Sequence, residues 1–233
     1  MSNFEYIISS LPYLTMDFKY SGQAGFNSVI SDIKRDLDER DQALVEFLLR
    51  GFSDKDLDEK DQGLVEFLLK GFSDKELNAD FYAAALKHRN RFLREYFRFD
   101  LNLRNAKVRY LNAQLGREPD QDVMTGEDPE AEDVDIDGFR FNGGEFEEAA
   151  KVDAILAGTD LVAREKGLDD ILWDKIDSLA TFHYFDIEAV LAYIAKLRIV
   201  TRWLKLDEEA GRDLFRRLLK DVRGTYKGVK YSE

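Results

Sequence analysis

The chain has 233 residues and a formal charge of −13, with 44% hydrophobic and 12% aromatic residues, 17 Phe, 10 Tyr, 3 Pro and no cysteine. Such a charge repels a phosphate backbone and an anionic membrane surface, so no nucleic-acid partner and no direct membrane insertion are expected. The lack of cysteine excludes disulfides and thiolate chemistry and fits a reducing cytoplasm.

Scarce proline with abundant Leu, Ala, Glu, Lys and Arg predicts an all-α fold, a multi-helix bundle with one or two long helices and an acidic interrupting loop. The start, MSNFEYIISSLPYL, has no basic leader and too short an apolar run for a signal peptide. No window reaches eighteen uninterrupted apolar residues, so no membrane span is expected. Within residues 4–14, which Pro12 interrupts, strand and short buried helix are not distinguishable by pattern.

A tandem repeat follows. Asp36–Lys55, DLDERDQALVEFLLRGFSDK, recurs as Asp56–Lys75, DLDEKDQGLVEFLLKGFSDK, differing only at Arg40/Lys60, Ala43/Gly63 and Arg50/Lys70. Each copy reads as a short helix on LVEFLL ended by Gly51 or Gly71, with Asp38 or Asp58 and Ser53 or Ser73 as rival caps. A period of 20 residues is about 5.6 helical turns, so one unbroken helix would point the two apolar faces nearly opposite ways. Turns at the glycines let both reach one core. Two copies are too few for a solenoid, and the pattern reads as a duplication that inserted one helix–turn unit.

From Asn78 to Leu115 there is neither Gly nor Pro. The run suits one helix of roughly 55 Å, or two joined near Asp100, with Leu86, Leu93, Phe97, Val108 and Leu111 on the buried face and Gly116 at its end. The N-terminal helical half is thus residues 1–116, and residues 117–148 read as an acidic flexible loop. Glu118–Glu148 holds 13 acids against one Arg, whereas Lys196–Glu233 holds 11 Lys or Arg against 6 acids, an asymmetry suited to charged protein partners. DVDIDG, Asp133–Gly138, starts like an EF-hand loop. The bidentate Glu should then stand at Gly144, and Glu145 falls one place late, so the stretch reads as a solvated acidic loop.

The C-terminal half, residues 149–233, starts with a helix over Glu147–Leu156, broken at Gly158–Thr159. A short helix ended by Gly167 follows, then an amphipathic helix on Leu168, Ile171, Leu172, Ile176 and Leu179. The organising element comes next. Asp186 is its predicted cap, with Phe185 and Val190 at hydrophobic-staple spacing. Ile187, Val190, Leu191, Ile194 and Leu197 form an apolar stripe that Tyr193, Val200, Trp203 and Leu204 widen, so this helix should be covered on more than one side. Asp207 caps a last helix, whose basic Arg216, Arg217, Lys220 and Arg223 lie toward its C-terminal end.

Chemistry is sparse. His88 and His183 are the only histidines. His88 is expected among arginines on a helix surface, and His183, just before a cap, as a hydrogen-bonded structural residue; catalytic use would require a cleft with convergent polar groups. There is no HExxH, phosphate-binding Gly-rich loop or GxSxG. Trp173 and Trp203 lie in apolar helical stripes and read as core anchors. No catalytic, cofactor-binding or metal-ligating residue is assigned, no cofactor is expected, and the chain is not expected to be an enzyme.

YIISSLPYL, NRFLREYFRFDLNLRNAKV with YLNAQLGR, and DLVAREKGLDDILWDKID followed by FHYFDIEAVLAYIAKLRIVTRWLKLDEEAGRDLF resemble a poorly characterised family of bacterial proteins. Its members occur in Bacteroidetes and chlamydiae, encoded among the subunits of a V/A-type ATP synthase. The resemblance implies a replacement for the ordinary coupling component of V-type ATPases, the all-helical funnel that joins the central rotor shaft to the membrane ring. FDLNLRN, Phe99–Asn105, is similar to the acidic-then-NL-basic helix motif of that funnel protein; no functional residue is carried over from it. The resemblance thus implies a non-catalytic component, cytoplasmic and peripheral to the inner membrane, with the shaft and ring of the V/A-type ATPase as its partners. The alternative from another class is a helical adaptor or assembly factor that binds the complex transiently or binds another partner.

Overall fold

The computed structural model describes residues 2–17, 25–52, 79–124 and 146–205. Among them are eight α-helices and no β-strand. The second copy of the repeat after Ser53, the DVDIDG motif and the predicted last helix lie outside the described residues.

The N-terminal apolar stretch resolves as a helix, α1 (Phe4–Ser10), because Asn3 Oδ1 accepts from the Tyr6 amide at 3.2 Å and closes its first turn. Leu11 ends it just before Pro12. The next helix, α2 (Phe26–Asp36), was not foreseen, yet it buries Phe26, Val29, Ile30 and Ile33 at helical spacing. In the first repeat copy, Asp38 caps the helix, while Ser53 lies outside the described residues. The Asp38 carboxylate accepts from the amides of Arg40 and Asp41 at 3.2 and 3.1 Å, starting α3 (Glu39–Arg50). Those amide bonds hold the Asp38 carboxyl below its ordinary range.

Gly51 ends α3 as expected, but not for its conformational freedom. Its φ is −74°, open to any residue. A β-carbon there would stand 2.1 Å from the Phe97 ring and 2.9 Å from Phe81. The glycine lets two aromatic rings approach the backbone.

The long glycine-free run is two helices, and they part at 87–90 rather than near Asp100. α4 (Ala79–Leu86) turns back along α5 (Arg91–Gln114). Asn90 starts α5 by accepting from the Leu93 amide at 3.0 Å. The Tyr82 hydroxyl donates to Asp100 Oδ2 at 2.7 Å across the hairpin, and burial together with that carboxylate pushes the phenol well up. At 24 residues, α5 is about 36 Å long. It ends on Gly116 at φ +65°, where the Arg117 amide reaches the Asn112 carbonyl (2.9 Å) and the Gly116 amide that of Ala113 (3.3 Å). This is the left-handed cap that glycine supplies at least cost.

Beyond it, residues 117–124 lie along α5, held by two buried asparagines. Asn112 Nδ2 donates to the carbonyls of Pro119 and Gln121, and Asn105 exchanges two bonds with the backbone of Met124 at 2.8 and 3.0 Å. The acidic interruption therefore begins with a segment tied to the core.

α6 (Ala149–Leu156) leads to α7 (Leu161–Leu179), which Asp160 caps. Gly167 was expected to end a short helix, but α7 runs straight through it. A β-carbon at Gly167 would meet three atoms of Ile155 at 3.1–3.2 Å, so this glycine serves the packing of α7 on α6. α8 (Ile187–Lys205) is the anticipated spine. It buries Val190, Leu191, Ile194, Leu197 and Val200, and packs against α7, α3, α2 and α1. α7 also touches α5 and α6, so both halves of the chain share one core.

Trp173 is buried as expected. Trp203 is half-buried, and its Nε1 donates to the buried Asp169 carboxylate at 2.6 Å, which also binds Arg202. Burial alone would lower the Arg202 pKa, but the Asp169 charge outweighs it and holds the guanidinium above its ordinary range.

Candidate functional site

The short connection between α7 and α8, Ala180–Asp186, is built from hydrogen bonds to its own backbone. Thr181 Oγ1 donates to the Asp177 carbonyl at 2.9 Å, and the His183 amide to that of Ala180 at 2.9 Å. Asp186 caps α8 as predicted, its Oδ1 accepting from the Ala189 amide at 3.1 Å. Its Oδ2 meets His183 Nδ1 at 2.6 Å, the structural role expected for this histidine. With these groups committed to the turn itself, the bulky side chains of the elbow project outward. Phe182 is 83% exposed at φ +72°, and Tyr184 and Phe185 are exposed as well. Phe185 therefore does not close over Val190 as a staple.

A non-glycine residue in the left-handed region costs about 1–2 kcal/mol. Among the described residues Phe182 shares this backbone with Asp122, in the exposed turn after α5. Across from Phe182 stands Tyr13, 73% exposed, beyond the end of α1. The two segments border one open groove of about 510 Å3, with Leu11, Pro12, Trp173 and Tyr184 among its lining. Tyr193 pins the far wall by donating to the Pro12 carbonyl at 2.9 Å. Lys196 lies 4.8 Å over the Trp173 ring and binds Asp177. Exposed aromatic rings thus surround a groove whose lining includes the buried Trp173.

The polar groups at this groove are engaged in structure. His183, Asp186 and Glu188 bring ligand-type atoms within 4.8 Å of one another. Asp186, however, spends one oxygen on the helix cap and the other on His183, while Glu188 Oε1 accepts from Asn90 Nδ2 at 3.0 Å. The cluster also sits at the positive end of α8, which opposes a cation. It acts as bracing for the elbow.

His88 is not on a helix surface. It lies in the α4–α5 turn, half-buried, with its ring 4.7 Å from that of Phe47. Its Nδ1 accepts from the Asn90 amide at 3.0 Å, and Arg94 Nη1 donates to its carbonyl at 3.0 Å. Burial, the leading cause, lowers its pKa, and the Arg94 charge lowers it further.

The aromatic rim went unassigned in the sequence. The signal was there as three aromatics within Phe182–Phe185, in a stretch too short to bury them.

The family model described as "Protein of unknown function (DUF2764)" matches residues 58–225, most of the chain, and the protein belongs to that family. No curated protein and no solved structure matches it.

Proposed function

We propose that this protein is a non-catalytic, peripheral component of a V/A-type ATP synthase, the coupler between central shaft and membrane ring. The observation that carries the reading is the aromatic elbow: Phe182 held in strained backbone and in solvent at the rim of the Trp173 groove. A coupler needs stiff helices and contact faces rather than reacting groups. α5 and α8 supply the stiffness, and the groove supplies a face lined by both polar and apolar side chains. Two stretches that carry the resemblance, residues 160–177 and 182–215, contain most of that groove. Among the described residues no helix is long and apolar enough to cross a membrane, in keeping with attachment through partner subunits on the cytoplasmic side.

The test is a gentle pulldown of the tagged protein from detergent-solubilised native membranes, with stoichiometry read by mass spectrometry. Near-stoichiometric head, shaft and ring subunits are expected. Substoichiometric recovery would indicate a transient adaptor or assembly factor, and recovery of none of them at low and moderate salt would overturn the reading.

A further inference from the structure

The two histidines of the chain stand in equivalent places. Each precedes a helix and bonds the residue that starts it: His88 the Asn90 amide, His183 the Asp186 carboxylate. A hydrogen bond joins the two turns. Asn90, while its Oδ1 caps α5, donates from Nδ2 to Glu188 Oε1 in the first turn of α8 at 3.0 Å. The α4–α5 turn and the aromatic elbow are thus linked through one asparagine.

The directions of these bonds set their chemistry. The Asn90 amide can donate to His88 Nδ1 only while that nitrogen carries no proton. Protonation would set two donors against each other at 3.0 Å, and the Asn90 backbone would have to move. From there the displacement reaches Glu188, because the same Asn90 side chain bonds both the Leu93 amide and Glu188.

We infer that His88, Asn90 and Glu188 form an acid-released clasp, which holds the α4–α5 turn against the aromatic elbow at neutral pH and lets it go when His88 is protonated.

The surroundings of His88 favour the closed form. α3 presents the uncharged Phe47 ring, α5 presents Arg94, and from α8 the Glu188 carboxylate reaches Asn90 rather than the imidazole. Burial and Arg94 both disfavour an imidazolium, which places release below the ordinary value of about 6.5. A base whose pKa is depressed on folding stabilises the fold fully above its unfolded value and loses that stability as pH falls from there through the lower folded value. The clasp is therefore shut at neutral pH and opens on acidification below the ordinary value. Its bearing on partner binding rests on the coupler reading; the clasp itself is a property of the isolated chain and is tested there.

The experiment follows backbone amides of the full chain by NMR from pH 7.5 to 5. The titration is run on the His183→Asn variant, which removes the elbow's own titrating ring. There, amides of Asn90 and Leu93 and those of residues 182–185 should shift with one shared midpoint. Adding His88→Asn places an amide oxygen where Nδ1 stood and cannot titrate, so the shared transition should vanish. Adding Glu188→Ala instead should leave the Asn90 shift and silence the elbow. Different midpoints in the His183→Asn variant would overturn the clasp whatever the added substitutions do, as would a transition that survives His88→Asn.

Discussion

Phe182 offers the sharpest test of how the elbow is built, because its ring and its backbone can be separated by two substitutions. The side chain is 83% exposed, so removing it takes little apolar surface out of the core. The backbone at φ +72° is where the energy lies: about 1–2 kcal/mol for any residue with a β-carbon. Phe182→Ala deletes the ring and keeps that cost. Phe182→Gly deletes the ring and the strain together, offset by about 0.4–1 kcal/mol for the greater freedom of glycine in the unfolded chain. The glycine variant should therefore be more stable than the alanine variant by about 0.5–1 kcal/mol. Urea denaturation at equal m-value reads the difference as a shift in midpoint. Both variants should lose partner subunits in the pulldown to the same extent, since both lack the ring. An alanine variant as stable as the glycine one would refute the strain. A glycine variant less stable than the parent by more than about 1 kcal/mol would show that the ring is packed, against the geometry.

Three further substitutions probe the frame around the site. Gly51→Ala should cost about 1–3 kcal/mol in the same assay, because the Phe97 ring is itself held by Phe81 and Tyr96 at centroid distances of 4.9 and 5.1 Å and cannot withdraw; an unchanged midpoint would show the core gives way there. Asp169→Ala should cost about 2–3 kcal/mol, below the full value for a broken buried pair because Arg202 is partly exposed. The same variant should alter Trp203 emission through loss of the Nε1 bond, and an unaltered spectrum would count against that bond. Asn105→Ala should cost about 1–3 kcal/mol and raise amide exchange at Met124 well above the change in α8, since its two bonds fix that residue; equal change at both places would argue for general loosening instead.

The helices that pattern reading locates best are those whose burial follows one period. In α8 the residues Val190, Leu191, Ile194 and Leu197 announce a buried face whatever packs against it. Where pattern misleads, tertiary contacts have overruled a local rule. Gly167 looks like a helix end because glycine is the poorest helix former after proline. It lies mid-helix where a methyl group would crowd Ile155 at 3.1–3.2 Å. The break at 87–90 carries neither glycine nor proline, and an Asn cap with a histidine acceptor is a weak signal beside a 24-residue helix that contains neither. Gly51 does end its helix, for a reason the sequence does not contain, since Phe97 arrives from 46 positions away.

The aromatic groove divides along the same line. Pattern reading assigns Phe and Tyr to cores, yet that rule runs one way: apolar residues are needed inside, but nothing forbids them outside. Between α7 and α8 the chain has seven residues in which to reverse, and it uses the groups of Thr181, His183 and Asp186 to do so. No inward face remains for Phe182, Tyr184 and Phe185, so their exposure follows from the length of the turn once its ends are known. That part is local and could be read. Tyr13 is different. It reaches the same groove through a bond between Tyr193 and the Pro12 carbonyl, across 181 positions, and no period or cap foretells such a meeting. A groove of this kind is therefore half legible: the excess of aromatics in a short turn marks rings left in solvent, and only the fold decides what stands opposite.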